Sequence, residues 1–108
     1  MVDGNVVKRR ITKMLFHITH MHTPETCPYG DPEKTKGTFG KMMSSAEQLG
    51  VKLVGAWVDA PAHTVYLVVE TDSVQKIEEL LHPVFKIGHA ETRAVSDAAA
   101  VLKRSIAE

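Results

Sequence analysis

The sequence predicts one α+β domain built on a four-stranded antiparallel sheet, and three observations carry that prediction. Segments that alternate every second residue interchange with segments whose apolar residues recur at three- and four-residue steps, in the order strand, helix, strand, strand, helix, strand. The second and third strands are separated only by Asp59-Ala60-Pro61-Ala62-His63, a turn-forming stretch short enough for a hairpin. The chain has 108 residues, which is one domain's length and enough to bury a core without disulfides or a structural metal.

Met1 to Lys13 is polar and holds the basic cluster Lys8-Arg9-Arg10. It reads as an extension (1–13) outside a domain spanning 14–108, and Met14 is a plausible alternative start. The first strand is expected from Leu15 to His22, followed by a stiff loop in which Pro24 and Pro28 each remove a backbone donor and bias the preceding residue away from helix. Asp31 followed by Pro32 is an N-cap with proline at the first helical position, so a helix starts there and runs to Gly50. Phe39, Met42, Met43, Ala46 and Leu49 form its buried stripe, which Gly37 and Gly40 weaken.

Strands follow at 51–58 and 64–71. Strict alternation puts Val51, Leu53 and Trp57 on one side of the former and Val54, Ala56 and Val58 on the other. Both strands are apolar on both faces, so one face lies on the helices and the other needs a second cover, expected to be another copy of the chain. Asp72 or Ser73 caps a second helix with Val74, Ile77, Leu80 and Leu81 inward, stopped by Pro83. A strand from His89 to Val95 and a C-terminal helix capped by Ser96 complete the chain.

This order is the split βαβ, ferredoxin-like arrangement, with sheet order 4-1-3-2. The topology matters because six histidines are otherwise scattered from His17 to His89. It brings the end of the first strand, with His20 and His22 on one face, beside the starts of the third and fourth strands. His63 lies at the first of those starts, His89 and Glu91 at the second; Trp57, Asp59 and His82 reach the same edge. His17 points the other way. Cys27, the only cysteine, sits in the loop that could return it to the imidazoles.

Imidazole suits zinc, copper or iron, and thiolate favours the softer of these ions. The candidate metal ligands are therefore His20 and His22, completed by Cys27, His63 or His89, with an open position for water or substrate. Cys27 is also a candidate nucleophile or persulfide carrier, Glu91 and Glu70 are candidate proton handlers, and Trp57 and Tyr66 candidate walls of a pocket. The competing account is a strand end rich in histidine with a buried, inert cysteine.

His22-Thr23-Pro24-Glu25-Thr26-Cys27-Pro28, Gly55-Ala56-Trp57-Val58 with His63-Thr64-Val65-Tyr66, and the strand from Gly88 to Val95 resemble a family of small proteins carrying a domain-of-unknown-function label, similar to the dimeric α/β-barrel superfamily. The resemblance covers Met14 to about Val95. It implies the fold and a homodimer in which two sheets pack face to face, and it implies no activity, since relatives range from haem-handling enzymes to plain ligand binders.

Thirteen basic and thirteen acidic residues cancel, so no long-range field favours nucleic acid or a membrane surface. A single cysteine suits a reducing compartment, no segment nears the ~20 apolar residues of a membrane span, and the start lacks a signal peptide's apolar core, so a cytoplasmic protein is expected. The function expected is a metal-binding dimeric barrel, extending to an enzyme on a small substrate. The alternative is a non-catalytic module that binds a small ligand without metal.

Overall fold

The computed structural model describes residues 13–107, so the extension predicted at 1–13 lies, but for Lys13, outside the described residues. Four strands, β1 (Met14–His22), β2 (Lys52–Asp59), β3 (Thr64–Thr71) and β4 (Gly88–Val95), form one sheet of order β2-β3-β1-β4. All three neighbouring pairs are antiparallel. The connecting helices give the βαββαβ order that the pattern predicts, with a further helix at the C-terminus.

β1 shows why the sheet has an inside. Phe16, Ile18 and His20 are buried, while Leu15, His17, Thr19 and Met21 are half-buried, so the even residues face the helices and the odd ones the opposite side. β3 supplies Leu67 and Val69 to the same core, the helices supply Met42, Ile77, Leu80, Leu81 and Val84, and Ala46 joins them from the turn after Ser45. Each such side chain fully buried is worth about 1.5–3 kcal/mol, so this layer holds the sheet and its two crossing helices together.

The first helix, α1, differs from a regular one. Pro32–Thr35 and Lys41–Ser45 are α-helical, but Lys36–Gly40 between them is a π-turn, and the chain leaves the helix after Ser45 instead of at Gly50. Its start is the expected one, with Asp31 accepting from the Lys34 amide at 3.1 Å. Inside the π-turn the buried Thr38 hydroxyl donates to the Lys34 carbonyl at 2.7 Å. The wider turn takes up one extra residue and re-aims its side chains, a feature common at functional sites.

The second helix, α2 (Val74–Phe85), starts on Ser73, whose hydroxyl accepts from the Gln75 amide at 3.1 Å. It does not stop at Pro83. A proline this close to the end forfeits only one intrahelical donor, and Val84 beyond it is fully buried, so packing carries the helix to Phe85. The last helix, α3 (Ala98–Ala107), is capped by Asp97 and not Ser96: the Asp97 carboxylate accepts from the Ala99 amide at 2.9 Å. Every residue of α3 is exposed, including Leu102 and Ile106. Among the described residues no helix is long and apolar enough to cross a membrane.

Strict alternation fails in β2. Leu53 pairs with Val69 but Gly55 pairs with Val68, so Val54 is the extra residue of a β-bulge and everything after it changes sides. Leu53, Ala56 and Val58 therefore share the helix face, and Trp57, paired with Tyr66, shares the other with Gly55. The indole lies over Gly55, where a Cβ would come 2.8 Å from its Cζ2.

Candidate metal centre

The loop after β1 decides where Cys27 goes. Thr23-Pro24-Glu25-Thr26 is a tight turn closed by the Thr26 amide donating to the Thr23 carbonyl at 3.1 Å, with Pro24 at the position whose φ proline presets. The Thr23 amide returns a bond to the Thr26 hydroxyl at 3.1 Å. The next stretch is pinned at Pro28, whose carbonyl accepts from the Asp31 amide at 3.0 Å and from the Thr35 hydroxyl at 2.9 Å. The chain thus doubles back, and Cys27 returns to His22.

His63 arrives from the other side. It is the one described non-glycine residue with positive φ, 51°, a conformation that costs an L-residue roughly 1–2 kcal/mol. Hydrogen bonds hold it there: its amide donates to the Ala60 carbonyl at 3.1 Å, and its carbonyl accepts from the His22 amide at 3.1 Å. This clip between the hairpin turn and the end of β1 brings the two imidazoles to 5.4 Å between ring centres.

One ligand atom each from His22, Cys27 and His63 lies within 4.8 Å of the other two. A tetrahedral zinc centre spaces such atoms roughly 3.3–3.6 Å apart, so small side-chain rotations close the group on an ion. The Nδ1 atoms of His22 and His63 are both buried without a hydrogen-bond partner among the described residues. Orphaned buried acceptors or donors are uncommon, and a ligand satisfies them. Burial, reinforced by the neighbouring His20 and His63 rings, lowers the His22 pKa from 6.5, which favours the neutral, metal-binding form.

His20 stands beside the group but is engaged elsewhere. It is fully buried, and its Nε2 lies 2.9 Å from the Val84 carbonyl oxygen of α2. A carbonyl only accepts, so Nε2 carries the hydrogen and Nδ1 is left unprotonated in the neutral ring. Burial lowers its pKa too, ahead of the opposing effect of the Val84 bond. Phe39, delivered by the π-turn, packs edge-on to His20 at 5.2 Å and tilted to His22 at 5.8 Å. Phe39 reads from the sequence only as part of a helical stripe; its place against the imidazoles follows from the π-turn.

The remaining candidates do not converge here. His89 pairs with Met21 and Glu91 with Thr19, so both extend from the face opposite His20 and His22. Glu70 pairs with Leu15 at the far end of β1. Tyr66 lies on the outer face, its ring 6.1 Å from that of His17, and His82 is exposed. The reason is register: arriving at the right end of the sheet is not enough, since alternate residues face away.

The group opens on a cavity of about 640 Å³, within the range of small-molecule sites. Phe39, Met42, Met43, Val58, Val65 and Leu67 form its apolar wall, and Trp57 borders it on the edge strand.

If His63 is a ligand and not a packing residue, His63→Gly should abolish metal uptake while leaving stability unchanged or raised by up to about 1 kcal/mol, because glycine adopts positive φ without strain. Paired metal-binding and thermal-unfolding measurements check this; a large drop in midpoint would make the ring structural.

The family described as "Domain of unknown function (DUF3303)" matches residues 14–105. No curated protein matches the chain.

Proposed function

The chain belongs to the DUF3303 family, a domain of unknown function, and from that premise we propose that it binds a transition metal, zinc, copper or iron, through His22, Cys27 and His63. One observation carries the reading: three donors of the types these ions select, from three separate segments, lie within 4.8 Å of one another at the end of an apolar cavity. Three protein ligands leave a fourth position free, the arrangement of catalytic and not structural zinc. A metal there supplies Lewis-acid activation of water or substrate, so the reading extends to an enzyme acting on a small molecule held in the cavity. Elemental analysis of untagged protein should find close to one equivalent of metal. None, even after incubation with zinc, copper(I) and iron(II), would favour the second reading, a module binding an apolar ligand without metal, which the apolar wall also supports.

We propose in addition that two chains associate through the sheet face away from α1 and α2. That face carries Leu15, Met21, Tyr66, Val68 and Trp57, and α3, which follows β4 in the chain, exposes Leu102 and Ile106. Apolar side chains gathered on a face that no helix covers are the mark of an interaction surface. Sedimentation at micromolar concentration should give a dimer, and a lone monomer would end the proposal. A reducing, cytoplasmic setting is the one in which Cys27 stays a free thiol.

A further inference from the structure

The cavity and the donor group together restrict what can enter. Resting on the metal reading above, we infer that the ligand is a small apolar molecule ending in one group that binds the metal as a monoanion, a thiol or a carboxylate. The argument is one of charge. Among the described residues lining the cavity there is no lysine, arginine, aspartate or glutamate, so this wall neutralises neither an anion nor a cation. A divalent ion held by the Cys27 thiolate and two neutral imidazoles keeps one net positive charge. That charge, at a cavity lined by Phe39, Met42 and Leu67, is balanced by a single negative charge at the fourth position. An alcohol that keeps its proton leaves the charge uncompensated; a phosphate dianion reverses it and adds more oxygens than the lining's two hydroxyls, Tyr29 and the already engaged Thr35, can pair. The rest of the molecule meets Val58, Val65 and Met43, so it is apolar.

The test uses the full chain, metal-free and zinc-loaded, with zinc uptake and retention measured by equilibrium dialysis and elemental analysis. Hexanethiol, hexanoate, hexanol and hexyl phosphate are titrated by calorimetry. Zinc should tighten hexanethiol or hexanoate by about tenfold or more and leave hexanol unchanged, and the larger gain identifies the head group. Ala56→Phe, at an exposed strand position lining the cavity, should weaken the six-carbon tails by a similar factor while leaving zinc uptake intact. Uptake of zinc with no gain for either head group would overturn the inference and leave the metal site standing. A preference for hexyl phosphate, or tails indifferent to Ala56→Phe, would overturn it as well. Failure to take up zinc would overturn the metal reading itself, while hexanol would still report on the cavity.

Discussion

Replacing His22 or His63 by alanine, or Cys27 by serine, should each reduce metal affinity by more than the roughly 10–100-fold that loss of a supporting partner costs. Each removes one donor from a group of three. Cys27→Ser should also shift preference away from copper(I), since it deletes the thiolate and leaves imidazole as the dominant donor. His17→Ala is the control on the same strand: His17 lies on the opposite face beside Tyr66 and should not matter. His20 separates contact from support. His20→Gln should cost stability, through the bond to the Val84 carbonyl, more than it costs metal affinity. The pH profile adds a signed expectation. Burial lowers the His22 pKa below 6.5, so the neutral ring persists past the pH at which free imidazole protonates, and the His22 contribution to affinity should be lost only below 6.5. Because His20 and His22 are depressed in the fold relative to the unfolded chain, stability is full above 6.5 and declines as pH falls further. Affinity flat from neutral pH to pH 5 would remove His22 from the ligand set.

The strand and helix pattern was enough to place the elements, because alternation and helical stripes are written in side chains that must be buried. Met42, Ala46, Ile77, Leu80 and Leu81 read as inward from spacing alone, and they are, whereas Met43 and Val74 at the margins of the same stripes are exposed. What spacing does not reveal is a change in the count of backbone residues. The bulge at Val54 inserts one residue without a polar or charged marker, and Trp57 changes face as a result. The π-turn at Lys36–Gly40 is equally unmarked; Phe39 within it stays packed on the core, as its stripe position predicts, and also meets the His20 and His22 rings. The site divides along the same line. His22 was legible from its strand position, and Cys27 from two prolines flanking a loop. His63 was placed by topology, but its positive φ goes with one hydrogen bond inside the hairpin turn, to Ala60, and one from the distant His22 amide. His89 and Glu91 reach the correct end of the sheet yet face away, because topology fixes which strand ends meet and register fixes which side chains do.

Gly88→Ala should be among the most damaging single substitutions in the domain although Gly88 can hold no ligand. It pairs with His22 across β1 and β4. A Cβ there would collide with the Met21 carbonyl oxygen and lie 2.9 Å from His20 Cε1 and 3.0 Å from His22 Cβ. None of these yields easily. The carbonyl belongs to the central strand, and the His20 ring is pinned by its 2.9 Å contact to Val84 and by the edge of Phe39. Relief must come from spreading β4 from β1 or from tilting both imidazoles. Overpacking of this kind costs about 1–3 kcal/mol, which for a domain of this size lowers the thermal midpoint by roughly 4–8 °C per kcal/mol. The same displacement moves His22 against Cys27 and His63, so metal affinity should fall with stability. The adjacent His89→Ala alters an exposed side chain on the outer face and should change stability by no more than about 0.5 kcal/mol, with metal binding intact. If His89→Ala were the more harmful of the two for metal binding, the ligand set would lie on the outer face and the register of β4 would need to shift by one residue.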